Sequence, residues 1–244
     1  MNIKSLINLV PSILLVLGLS NLGHAANIVA DTLYDFESFS IGATVTTADP
    51  PITTINAAVS LTAESGNGGT VLQQSSSGAG DFRMQFAGGS TPTSGSLTFD
   101  YALISTLTAD QRITINGTVG ELLRLTLQDN GNILYNFGNG SGGTTSGSIA
   151  SGYAIDGSFN SVSISIDTVT DTWGFSVGSS SQSGLNFSAD RDGSDVTRIS
   201  FRATGASYVG QFDNVQFVTV PEPSTYVLVG SALILLAVFR RRRI

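Results

Sequence analysis

Short runs in which apolar and polar residues alternate recur along this chain, and a period of two fits strands rather than the three-and-four spacing of a helix. Val162-Ser163-Ile164-Ser165-Ile166-Asp167 is the cleanest run. Leu97-Thr98-Phe99-Asp100-Tyr101, Leu123-Arg124-Leu125-Thr126-Leu127 and Tyr34-Asp35-Phe36-Glu37 behave alike. One face of each can be core while the other stays wet. Clusters of Gly, Asn, Asp and Ser separate the runs, as turns require. Asp129-Asn130-Gly131-Asn132 divides Leu123–Gln128 from Ile133–Phe137, and Thr168–Asp171 divides Ser161–Asp167 from Thr172–Val177, so two hairpins are expected. Gly138 to Gly147, almost wholly Gly, Ser, Thr and Asn, is expected to be a flexible loop. Thr106 to Gln111 has the makings of one helical turn, and no window of the middle region holds a convincing amphipathic helix. No internal repeat argues for a solenoid or propeller. The expected fold is all-β, with two antiparallel sheets packed as a sandwich.

The two ends are patterned differently. Lys4 precedes an apolar stretch from Leu6 to Leu19, and Gly23-His24-Ala25 places small residues at positions −3 and −1 of a cleavage site before Ala26. That is the layout of a secretory signal peptide over residues 1–25, here a signal helix with no polar face. A buried N-terminal helix is the alternative. At the other end, Tyr226 to Phe239 is apolar apart from Gly230 and Ser231, and Arg240, Arg241, Arg242 and Arg243 follow at once. A transmembrane helix is expected over 225–239. Its apolar run reaches roughly 21 Å at about 1.5 Å per residue, short for a bilayer core of about 30 Å. The four arginines hold the tail in the cytoplasm and leave the middle outside.

Residues 26–219 then form one β-sandwich ectodomain, and 220–244 a separate segment. Through Val220, six arginines face 17 acidic residues, a charge near −11 that the tail arginines and Lys4 soften to −7 for the whole chain. Such a surface repels nucleic acid and suits divalent cations or neutral polymers. Cysteine is absent, so no disulfide supports the domain and no thiolate chemistry is available.

The missing residues bound the chemistry further. The one histidine is His24 and the one lysine is Lys4, both inside the signal. The mature chain therefore cannot form a Ser-His-Asp triad, an imidazole base, a lysine Schiff base or a zinc-histidine site. No phosphate-cradling or dinucleotide glycine motif follows a strand. Carboxylates remain, and glycoside hydrolysis needs two across a cleft. Glu37, Glu64 and Glu121 are scattered, and most aspartates sit in turns such as Asp129-Asn130-Gly131 and Asp192-Gly193.

Val220-Pro221-Glu222-Pro223-Ser224-Thr225, the apolar run and the Arg240–Arg243 cluster occur in that order. This three-part tail resembles the PEP-CTERM sorting signal of Gram-negative bacteria, with Pro221, Glu222 and Pro223 as its motif and Arg240, Arg241, Arg242 and Arg243 as its basic end. The prolines hold the motif extended. The resemblance implies cleavage near the motif by exosortase, a membrane protease, after an inner-membrane intermediate. It also implies delivery to the cell surface or extracellular matrix, often among exopolysaccharide-producing systems. An ordinary single-span anchor is the alternative.

Phe159–Asp167 followed by Thr172-Trp173-Gly174-Phe175-Ser176-Val177 is similar to a hairpin of concanavalin-A-like and laminin-G-like sandwiches, a jelly-roll fold. Phe212-Asp213-Asn214-Val215-Gln216-Phe217 is similar to their closing strand, and Tyr34–Glu37 to their opening one. The laminarinase-type glycosidases of that fold carry an E-x-D-x-x-E run, which this chain lacks.

First and last strands lie together in many such sandwiches, which would bring Asp35 or Glu37 to Asp213. Clustered hard oxygens suit calcium, so a structural calcium site at Glu37 and Asp213 is one expectation; capping and cross-strand hydrogen bonding is the other. Trp173, the one tryptophan, is either a stacking platform for sugars or a core residue. Asp190–Asp195 reads as a solvated turn. Three functional readings stand: a non-enzymatic structural or adhesive surface protein, a carbohydrate-binding module for exopolysaccharide, and a carboxylate-based polysaccharide hydrolase.

Overall fold

The computed structural model describes residues 29–49, 51–86, 92–104, 109–139, 141–188, 195–205 and 207–220. The signal at 1–25, the motif and tail from Pro221 onward, the first half of the Thr106–Gln111 turn and most of the Asp190–Asp195 loop lie outside these residues. Gln111 itself opens a strand rather than closing a helical turn. Among the described residues no helix is long and apolar enough to cross a membrane.

Numbered along the chain, the strands divide between two sheets in which every pairing is antiparallel. One sheet holds β1 (Leu33–Tyr34), β3 (Val59–Gly66), β4 (Gly69–Ser76), β6 (Ser94–Leu103), β11 (Asn160–Asp167), β12 (Thr172–Val177), β13 (Ser180–Asn186) and β15 (Tyr208–Thr219). Its order is β13-β12-β11-β6-β15-β4-β3, and β1 pairs the far end of β15. The other holds β2 (Ile52–Ile55), β5 (Gly80–Gln85), β7 (Gln111–Gly117), β8 (Gly120–Leu127), β9 (Ile133–Gly138), β10 (Thr144–Ile149) and β14 (Val196–Ala203), in the order β10-β9-β8-β7-β14-β5-β2. The expected two-sheet sandwich is present.

Alternation decides what each strand buries. In β11, Val162, Ile164 and Ile166 are core while Ser161 and Ser165 face water. The same rule places Phe82 and Phe201, register partners in the seven-stranded sheet, against Phe99 and Phe212 of the other sheet. Phe82 stacks on Phe201 at 4.9 Å, and Phe212 meets Phe82 and Phe201 edge-on at 5.5 Å and 5.2 Å. Each fully buried ring contributes about 1.5–3 kcal/mol through lost water contact, so this quartet is the main seam between sheets.

Both expected hairpins form, with Leu127 opposite Ile133 and Asp167 opposite Thr172. The loop expected from Gly138 to Gly147 is shorter. Thr144–Ile149 adds an exposed edge strand to β9, because Asn139 ties off the turn by accepting from the Ser141 and Gly143 amides. Small polar residues still offer a full set of backbone hydrogen bonds, and β9 supplies the partner. The opening run is also shorter than its alternation implied. After Tyr34 the chain turns at Phe36, whose φ of 58° lies in the left-handed region while its ring stays buried.

Candidate functional site

The opening and closing strands do meet. Leu33 and Tyr34 pair with Gln216 and Val215, which brings the segment after β1 alongside Asp213. In β15 the residues Asn214 and Val215 together oppose Phe99 of β6, a bulge in which Asn214 takes a φ of 52°. The bulge sets Asp213 opposite Asp100 on the outer face of the eight-stranded sheet. Asn67 donates to Asp213 at 2.7 Å and to Asp100 at 3.3 Å; Asn214 donates to Asp100 at 3.0 Å and Asp213 at 3.3 Å. Ser161 adds a hydroxyl bond to Asp100 at 2.7 Å. Asp213 is 5% exposed, and burial raises its pKa, with the charges of Asp100 and Glu37 adding to the rise against the Asn67 and Asn214 hydrogen bonds.

Glu37 is near enough to act on Asp213 by charge, but its carboxylate caps the Thr70 amide at 3.1 Å. Capping and cross-strand bonding thus engage both residues. Among the described residues no group of three or more acidic side chains is gathered to hold a metal ion. Trp173 faces inward beside Phe175, ring centroids 5.8 Å apart, and is 2% exposed. Its ring has no face open to a sugar, so the platform reading gives way to the core one; its position opposite Ile166 in the β11–β12 pair sets it on the buried side.

The other sheet carries a feature that net charge concealed. Arg83, Arg112, Arg124, Arg198 and Arg202 all project from the outer face of the seven-stranded sheet. Across β8, β7, β14 and β5, one row reads Arg124, Thr114, Ser200, Arg83. The next reads Thr126, Arg112, Arg202, Asp81, and a third reads Asn116, Arg198, Gln85. Two ion pairs form among the described residues, Arg83 with Asp81 at 2.5 Å and Arg124 with Glu121 at 2.7 Å. Arg112 and Arg202 stand directly opposite each other, a like-charge pairing that works against the sheet. The pKa of Arg112 is lowered by burial first, then by Arg124 and Arg202; that of Arg198 by burial and then Arg83. The Nε atoms of Arg112, Arg124 and Arg198 are buried without a hydrogen-bond partner. The signal was present in the sequence. Asp81-x-Arg83-x-Gln85, Arg112-x-Thr114-x-Asn116 and Arg198-x-Ser200-x-Arg202 put each arginine on the polar phase of an alternating run.

Two antiparallel sheets with adjacent opening and closing strands define a concanavalin-A-like, jelly-roll sandwich, and here it precedes an export segment. Residues 219–243 match the PEP-CTERM protein-sorting motif, the sorting segment of exported, surface-directed proteins. No curated protein sequence matches the chain. Among solved structures, a sialidase is similar in fold with a TM-score of 0.60 at 14% identity, over 80% of this chain and 19% of that one. This chain thus spans about a fifth of the sialidase. A glycoside hydrolase family 16 endo-glucanase from Bacteroides ovatus aligns with a TM-score of 0.47 at 12% identity, over 77% of this chain and 99% of its own. A Bacillus licheniformis beta-glucanase aligns with a TM-score of 0.44 at 10% identity, over 70% and 96%.

Proposed function

We propose that the mature chain is a non-enzymatic surface or matrix protein, sorted by an exosortase-type membrane protease and acting as a structural or adhesive component among extracellular polysaccharide. The sorting motif at 219–243 is the observation that carries this reading. The state of the carboxylates supports its non-enzymatic part. Glu121 and Asp81 are each taken by an arginine, and Asp100 and Asp213 face one another under shared amide donors rather than across a cleft. A glycosidase needs two carboxyls on opposite sides of a sugar, roughly 5–10 Å apart.

Polysaccharide binding is the second reading, favoured by the arginine, hydroxyl and amide groups that fill one sheet face. Hydrolysis stands third, without the E-x-D-x-x-E run.

Expression of the full chain in a Gram-negative host with and without an exosortase tests the sorting part. The expected product is surface-exposed and shorter at its C-terminus only when the protease is present. A Pro221→Ala/Glu222→Ala/Pro223→Ala variant accumulates uncut in the inner membrane. Equal processing of both forms would remove the motif from the explanation. Release of reducing sugar from exopolysaccharide by the purified product would remove the non-enzymatic part.

A further inference from the structure

The geometry points to the outer face of the seven-stranded sheet as a binding surface for a carboxylate-bearing polysaccharide, a polyuronate, gripped by Arg112, Arg198 and Arg202. This rests on the adhesive reading above and names the polymer class and the surface.

Three observations converge on it. The first is segregation. Residues 26–220 carry a charge near −11, yet all five arginines in the described residues share one face, where Asp81 and Glu121 form ion pairs with Arg83 and Arg124 and Asp110 acts on Arg112 by charge without pairing with it. Stability does not ask for this arrangement, because Arg112 and Arg202 repel across adjacent strands. The second is unmet hydrogen-bonding capacity. No carboxylate of the described residues forms an ion pair with Arg112, Arg198 or Arg202, and two of these also leave a buried Nε donor unpaired. Guanidinium forks match carboxylates in bidentate geometry, so an incoming carboxylate meets the Nη donors, which unlike the Nε atoms are not among the buried unpaired groups, and relieves the repulsion.

The third is the company the arginines keep. Thr114, Ser200, Asn116 and Gln85 lie between them in register, offering hydroxyls and amides to the hydroxyls of a sugar chain. From β8 to β5 the face extends about 15 Å at about 4.8 Å per strand, room for several sugar units laid across the strands. The inward-facing Tyr135, Phe175 and Trp173 leave charge and hydrogen bonding, rather than ring stacking, as the means of recognition. The acidic remainder of the domain opposes the dense charge of a nucleic-acid duplex.

The test uses the full-length chain in neutral detergent. Binding is measured to sodium polygalacturonate, to uncharged dextran and to duplex DNA, at low and at physiological salt. The native chain is expected to bind polygalacturonate, to lose about tenfold in affinity as salt screens the face, and to ignore dextran. Arg112→Gln/Arg198→Gln/Arg202→Gln should lose at least tenfold more while melting no lower than native. Ser165→Ala on the opposite sheet should bind as native. If the triple variant does not fold, Arg202→Gln alone, at an exposed position, should still weaken binding. Equal binding of dextran, unchanged in the variants, overturns the arginine surface and leaves an adhesive protein. DNA bound as tightly as polygalacturonate overturns the choice of polymer. Salt-sensitive self-association without polymer assigns the face to a second copy instead. No binding to any polymer removes both this inference and polysaccharide adhesion.

Discussion

The side-chain amide of Asn67, in the turn between β3 and β4, donates to Asp213 at 2.7 Å and so ties together residues 146 positions apart. The tie shields a carboxylate that the fold otherwise disfavours. Burial and the neighbouring acids raise the Asp213 pKa above its ordinary 3.8, so the folded chain holds that proton more tightly than the unfolded chain does. Stability therefore falls as pH rises from 3.8 through the folded value, and the whole penalty is present above it. Asp213→Asn removes the titration, but it also sets an amide nitrogen where the carboxylate accepts from the Asn67 and Asn214 side chains. Its melting temperature should therefore lack the decline with rising pH above 3.8 that this carboxyl contributes to the native chain. A variant whose melting temperature falls across that range as steeply as native would contradict this.

The same turn gives a second prediction. Asn67 and Gly68 carry φ values of 46° and 85° between the paired Gly66 and Gly69, the mirror-image turn that a tight hairpin favours. Gly68→Ala should cost about 1–2 kcal/mol in urea unfolding, because a Cβ opposes that backbone whatever the space. Gly78→Ala, with an ordinary φ and open surroundings, should cost far less.

Phe201 joins the two sheets through Phe82, Phe99 and Phe212. Phe201→Ala should cost about 3–5 kcal/mol and lower the denaturant midpoint strongly. Val169→Ala, at a side chain 74% exposed, should change little.

Calcium at Glu37 and Asp213 would require Glu37 to leave the Thr70 amide and the two asparagines to turn their donors away. Melting in millimolar calcium should match melting in chelator. A rise of several degrees with calcium would restore the site.

Trp173 reports on its own burial, since the chain has no other tryptophan. Its fluorescence should resist iodide and stay unchanged on adding polysaccharide. Strong quenching by either would place the ring at the surface.

Period-two alternation carried the fold: Val162–Asp167 and Leu97–Tyr101 became central strands with the expected faces buried. Where pairing rather than pattern decides, the sequence was less legible. Thr144–Gly147 became a strand because β9 had an open edge, a fact of three dimensions. Glu37 and Asp213 were brought near each other as expected, but Asn67 arrived from a turn that no local pattern connected to them. Arginine segregation was hidden by totals. Six arginines against 17 acids read as an acidic protein, and only register shows that Arg112 and Arg202 share a row.

Residues 26–220 contain arginine and no lysine, so trypsin-like proteases have arginine alone to cut after. At Arg83, Arg112, Arg124, Arg198 and Arg202 the scissile bond lies in a strand hydrogen-bonded to neighbours on both sides. A protease must thread an extended, unpaired segment, so cleavage at these five positions waits on opening of the sheet itself. The face that concentrates the positive charge also keeps its own five cleavage sites shut until the sheet opens, and leaves Arg191, outside the described residues, as the sixth such site in residues 26–220.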